Sequence, residues 1–168
     1  MTTLRWLLAL AAGLATTLPA GAGDPYSVRD VDSSPVKELS LDVSQVELFQ
    51  SENNRMVFKV TFAAPPDIGR LRVLLDVDGP GRGEPGSGAD YMLEGASFYR
   101  YPKGATDWTW DAIEPPFTLV EGRTVTCMLP DVPDLAAVTD GHWIVETTSP
   151  DWKTADRVPK AGTLKFNF

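Results

Sequence analysis

The sequence predicts an all-β fold, an antiparallel jelly-roll or immunoglobulin-like β-sandwich of about nine or ten strands following an N-terminal signal peptide. Short runs alternate apolar and polar residues at a period of two, as MVFKVTF does at 56–62. Clusters of Gly, Pro, Asn and Asp punctuate these runs and supply turns. One stretch alone reads as helix, DVPDLAAV at 131–138, with Pro133 suited to a first turn and Asp140-Gly141 beyond its end.

Taken in order, VSQVELFQ at 43–50, the turn SENN and RMVFKVTFA at 55–63 make a hairpin. Met56, Phe58, Val60 and Phe62 fall on one face of its second strand, and Val57, Lys59 and Thr61 on the other. The run 71–77 is more continuously apolar, as a central strand covered on both faces would be. After a glycine-rich loop, YMLEG, SFYRY and DWTWDAI form a meander with aromatic residues at alternate positions. Strands at 117–120, 124–129, 142–148 and 163–168 complete the set.

The N-terminus differs from the rest. Arg5, an apolar run from Trp6 to Leu18 and the small residues Ala20-Gly21-Ala22 read as a signal peptide over 1–22, cleaved before Gly23. The run falls short of the ~20 apolar residues a membrane span needs, and an uncleaved signal anchor is the alternative. Residues 23–36, rich in Asp, Ser and Pro, read as a flexible leader, and 37–168 as a single domain. The expected location is secreted or periplasmic, with no membrane span after cleavage.

The chain carries 23 acidic against 15 basic residues, a net charge of −8, which repels nucleic acid and anionic membrane surfaces. Cys127 is the only cysteine, so no intramolecular disulfide forms. In TVTCML it shares a strand face with Val125 and Leu129, which points to burial as a small apolar residue.

Three groups of residues carry candidate chemistry. The first is the loop DVDGPGRGEPGSGADYMLEG at 76–95. Asp76, Asp78, Glu84, Asp90 and Glu94 offer hard oxygen ligands of the kind Ca2+ prefers, so a structural calcium site is one reading, with Asp76, Asp78 and Asp90 as its candidate ligands. The other is that the aspartates cap turn amides while the glycines supply positive φ. An EF-hand is excluded because Pro80 occupies the third ligand position. A phosphate cradle is excluded because Ala89-Asp90 and a strand follow the glycines, where a Lys-Ser or Lys-Thr and a helix are needed.

The second group is aromatic. Tyr99 and Tyr101 share a strand face, as do Trp108 and Trp110, and on an exposed sheet such rings stack on the C–H surfaces of a sugar. Core packing of Trp108 with Trp110 is the competing reading, and Tyr99 and Tyr101 are expected to reach solvent. The third group, His142, Trp143 and Trp152, offers one histidine without the nearby partners a metal site needs. No nucleophile-elbow motif is present, and the chain is expected not to be an enzyme.

The order of these motifs is itself informative: an opening hairpin, a strand ending DVD, GADYMLEG, an aromatic strand, W-x-W, a strand ending at Pro130, and DRVPKAG before TLKFNF. From about Val43 to Phe168 the chain resembles exported bacterial β-sandwiches of the carbohydrate-binding module family 9 and DOMON-like type. The resemblance implies an accessory module that binds a sugar or a cofactor, in some members with structural calcium. No clamping aromatic pair of family 9 is matched residue by residue, and His142 is the single histidine available for a haem ligand.

The expected function is therefore a non-catalytic, exported binding module for an extracellular carbohydrate. A structural or adhesive cell-envelope protein with a protein partner is the alternative from another class. A hydrolase using two carboxylates is the weaker one, since such a pair is defined by distance in space.

Overall fold

The computed structural model describes residues 26–29, 36–79, 83–84 and 86–168. The expected signal peptide lies outside the described residues. The architecture is the all-β antiparallel sandwich that the sequence predicts, built from two sheets.

The first sheet has the order β2-β3-β9-β8, from Val43–Gln50, Met56–Phe62, Thr124–Met128 and Phe117–Glu121. β1 (Tyr26–Arg29), inside the stretch expected as leader, adds to its edge by pairing with β2. The expected hairpin is present with Val46 opposite Val60 and Leu48 opposite Phe58. Met56, Phe58, Val60 and Phe62 all point into the core, as their alternation requires.

The second sheet has the order β11-β10-β4-β5-β6-β7. Its strands are Thr154–Val158, Asp140–Thr148, Leu71–Asp76, Tyr91–Glu94, Ser97–Arg100 and Asp111–Ala112. β12 (Leu164–Asn167) also pairs with β10, along its first half, while β11 pairs along its second. The edge of β10 is thus covered by two strands laid end to end. Gly141 is required where β10 passes its neighbours, because a Cβ there would stand 2.4 Å from the Asp76 carbonyl oxygen and 2.8 Å from the Phe166 ring.

The inner faces meet in one core, with Phe58 of the first sheet 5.6 Å from Trp143 of the second. Two polar contacts tie the sheets together at the start of β2. The buried Asp156 carboxylate accepts from the Val43 amide at 2.7 Å and from the Arg157 amide at 2.8 Å, and pairs with Lys160. Thr147 donates its hydroxyl to the Leu41 carbonyl at 2.6 Å. A carboxylate removed from water is tolerable only with this degree of pairing.

Three expectations need correction. DWTWDAI is not a continuous strand, since only Asp111–Ala112 pairs, against Tyr99 and Arg100 of β6. β11 was not anticipated, because its TADRV carries Asp156 and Arg157 where a pattern reading expects an apolar face. The helix α1 is a single turn, Pro133–Ala136, shorter than DVPDLAAV. Cys127 is buried as expected, and burial pushes its thiol up to about 11 despite a weak hydrogen bond with Thr118.

Candidate functional site

Register sorts the outer face of the second sheet into rows. Direct partners in an antiparallel pair share a face, so residues opposite one another on β10, β4 and β5 line up across the sheet. One row is Glu146, Arg72 and Glu94. The next is Ile144, Leu74 and Met92, continued on β6 by Tyr99. A further row begins with His142 and Asp76. The sequence LRVLLD places Arg72, Leu74 and Asp76 outward while Leu71, Val73 and Leu75 enter the core.

The acidic end lies beside the glycine-rich loop. Asp76, Asp78 and Asp90 each offer a carboxylate oxygen within 4.8 Å of the others. Two of the three also cap turn amides. Asp90 Oδ2 accepts from the Val77 amide at 2.7 Å and from the Asp78 amide at 3.2 Å, and Asp76 Oδ1 accepts from the Gly79 amide at 3.0 Å. His142 Nδ1 stands 3.9 Å from Asp76 Oδ2.

Desolvation, followed by the neighbouring charges of Asp78 and Asp76, pushes Asp90 up to about 6 against the pull of those two amides. Beyond the trio opens a cleft of about 920 Å³ whose charged lining is Asp78, Asp90, Asp111, Asp134, Arg100 and Lys103. Glu84 is spent on its own turn, accepting from the Gly86 and Ser87 amides at 2.8 and 2.7 Å.

In the middle row Leu74, Met92, Ile144 and Ala89 form a small buried cluster under the partly buried rings of Tyr99 and Trp110. Trp110 is the centre of a ring chain, 5.4 Å from Tyr101 and 5.4 Å from Trp108, edge-on to both. Tyr101 is only 6% exposed and donates its hydroxyl to the Asp107 carbonyl at 3.0 Å. The expectation that Tyr101 reaches solvent therefore fails: the chain turns after Arg100 and folds this ring beneath the loop that carries the tryptophans. Trp110 covers the sheet, and Tyr99 is half-buried beside it.

Trp108 is different. It is 51% exposed and lies over Arg72, whose guanidinium carbon is 5.3 Å from the ring centroid. Arg72 in turn reaches both row neighbours, donating from Nη1 to Glu146 Oε1 at 3.1 Å and from Nη2 to Glu94 Oε1 at 3.0 Å. Across the same opening stands Trp152, 58% exposed, in the turn between β10 and β11. Its ring covers Arg70 at 4.8 Å.

Trp152 adopts φ +63°, a left-handed conformation that costs a bulky residue free energy. The turn enforces it. The Trp152 amide donates to the Ser149 carbonyl at 2.8 Å, and the Ser149 amide donates to the Lys153 carbonyl at 2.8 Å. Arg72, Glu94, Trp108 and Trp152 line an open cleft of about 460 Å³, within the size range of small-molecule sites.

Sequence reasoning thus named Trp108 as ligand-facing, but grouped Trp152 with His142 and Glu94 with the calcium loop, and named neither Arg72 nor Glu146. A signal for the row was present. Arg72 lies between Leu71 and Val73 in a strand otherwise apolar to Leu75, and a guanidinium in that setting needs carboxylates on the adjoining strands. Among the described residues, no helix is long and apolar enough to cross a membrane. No protein-family model, curated protein or solved structure matches the chain.

Proposed function

We propose that this chain is an exported, non-catalytic module that binds an extracellular carbohydrate in the cleft between Trp108 and Trp152. The observation that carries the reading is the pair of half-exposed indoles, each resting on a guanidinium, on either side of a charged floor. Indole faces take the C–H surface of a pyranose, and carboxylate and guanidinium groups take its hydroxyls. The strained φ of Trp152 supports the same reading, since strain is retained where the displayed side chain has work to do. Export rests on the apolar run Trp6–Leu18 and the small residues after it.

A glycan array on the wild-type protein and on Trp108→Ala and Trp152→Ala tests the reading. Binding should be lost in both variants while their far-ultraviolet spectra and melting temperatures stay near the wild type. Absence of binding to any glycan would refute it.

Calcium is the accompanying proposal. Three carboxylates within 4.8 Å repel one another, and a divalent cation would relieve that repulsion while pinning the strand ends of β4 and β5. A second reading is favoured by one observation at the other sheet. The edge strand β8 pairs with β9 alone among the described residues and exposes Phe117 and Val120, which suits strand addition by a protein partner. A pull-down from the envelope fraction with Val120→Lys as the control tests that reading.

A further inference from the structure

We propose, resting on the carbohydrate reading above, that the Trp108–Trp152 cleft selects neutral saccharides and rejects anionic ones, and that Glu94 sets this selection. Charge around the cleft is the first argument. Arg72 is the single cation of the lining, and both its terminal nitrogens are already held by carboxylates, those of Glu94 and Glu146, while Arg157, opposite Glu146 on β11, donates to the Pro159 and Gly162 carbonyls. Two further cations near Trp152 have carboxylates beside them. Arg70 Nε stands 4.0 Å from Asp67 Oδ2, and Lys153 Nζ stands 2.7 Å from Asp151 Oδ2. A uronate or sulfate entering the cleft would meet the Glu94 carboxylate and an Arg72 whose terminal nitrogens are already engaged, in a chain of net charge −8.

The rings supply the second argument. A cationic ligand would bind an indole through the negative face of its π system. Here a guanidinium already lies against each ring, at 5.3 Å over Trp108 and 4.8 Å over Trp152. That contact draws the π density toward the protein and places a positive charge behind the ring, so a further cation is disfavoured. Stacking of sugar C–H groups depends on contact area and dispersion and survives this polarisation.

Glu94 is the group positioned to read the difference. Its side chain is 23% exposed, twice the 11% of Glu146, and it lines the cleft where Glu146 does not. Arg72 engages Oε1 of Glu94 and leaves Oε2 outside that bond. A carboxylate oxygen at this place accepts from sugar hydroxyls in a charge-assisted hydrogen bond and repels an anion.

The test is isothermal titration of the wild type with a neutral oligosaccharide taken from the array and with its uronic-acid counterpart of the same length and linkage. The uronate should bind about ten-fold more weakly or worse, and 0.5 M NaCl should narrow the gap by screening the repulsion. Glu94→Gln keeps an acceptor for Arg72, so it should fold, lose affinity for the neutral sugar and gain affinity for the uronate.

Equal or tighter binding of the uronate by the wild type, abolished by Trp108→Ala and Trp152→Ala, would overturn the selection while leaving the carbohydrate reading standing. A gap that Glu94→Gln leaves unchanged would overturn the role given to Glu94. Absence of binding to both ligands and to the array would overturn the carbohydrate reading and this inference together.

Discussion

The guanidinium of Arg72 lies 5.3 Å from the centroid of the Trp108 ring while its two terminal nitrogens are held by Glu94 and Glu146. One side chain thus fixes a cross-strand charge row and supports an exposed aromatic ring. Arg72→Met should therefore have two effects. Two mostly buried carboxylates lose their shared partner, which should destabilise the fold by about 3 kcal/mol. Trp108 loses its support, so its fluorescence should shift toward that of a solvated indole. Urea unfolding followed by tryptophan emission reads both, and restoring part of the stability with Glu146→Gln in the same chain would show that the loss comes from unpaired charge.

Three of the four aromatic residues expected to bind ligand divide into two kinds. Trp108 is half-exposed and touches the sheet through Arg72, whereas Trp110 covers a buried apolar cluster and Tyr101 is buried against Trp110. Trp110→Ala and Tyr101→Ala should each cost about 3 kcal/mol in chemical denaturation, as large aromatic deletions do. Trp108→Ala and Trp152→Ala should cost about 1 kcal/mol or less, as surface substitutions do. Equal losses at all four positions would mean that the exposed pair belongs to the fold rather than to recognition.

What the sequence made legible follows from what periodicity can carry. MVFKVTF alternates because one face meets the core, and the structure puts Met56, Phe58, Val60 and Phe62 there. Leu71 to Leu75 is nearly continuous because Leu74 on the outer face is also covered, by the rings of Tyr99 on β6 and Trp110 in the loop after it. TADRV was illegible because Asp156 is buried by partners from β2 and from Lys160, which no local pattern displays.

The pairing of Trp108 with Trp152 was illegible for a related reason. The two residues sit on loops 44 positions apart in number, and only the order β11-β10-β4-β5-β6-β7 brings those loops over one face. Period-two reasoning placed Trp108 and Trp110 on one side of a strand. Because that segment is a loop up to Asp111, the two indoles meet edge-on, one covering the sheet and the other left open.

Asp90 gives the fold a pH dependence of unusual sign. Its carboxyl is pushed from 3.8 to about 6, first by desolvation and then by the charges of Asp78 and Asp76. Between these two values the folded state binds more protons at this group than the unfolded state does. The stability Asp90 contributes is therefore fully present below pH 3.8 and is lost as pH rises through about 6. Asp90→Asn retains an oxygen for the Val77 amide and removes the charge. The variant should melt higher than the wild type at pH 7.5, with the difference shrinking toward pH 4.5.

A divalent cation at Asp76, Asp78 and Asp90 competes with the same proton. Addition of Ca2+ should raise the melting temperature at pH 7.5, raise it little at pH 4.5, and do neither in Asp76→Ala or Asp90→Asn. A rise that persists in both variants would place the ion elsewhere on the acidic surface. A chelator should return the wild type to its starting curve, since each bound ion stabilises only the state that holds the three carboxylates together.

Cys127 offers a reporter of opening that leaves the cleft untouched. Its side chain is buried between the sheets on β9, and burial pushes the thiol up to about 11, so the reactive thiolate is scarce and shielded at neutral pH. A maleimide or iodoacetamide should label the native protein at pH 8 far more slowly than the urea-unfolded chain. β9 lies between β3 and the edge strand β8, so exposure of Cys127 requires either loss of β8 or separation of the two sheets. Val120→Lys, which alters the exposed edge, distinguishes these routes: labelling should accelerate in that variant if β8 peels away first and stay unchanged if the sandwich opens as a whole.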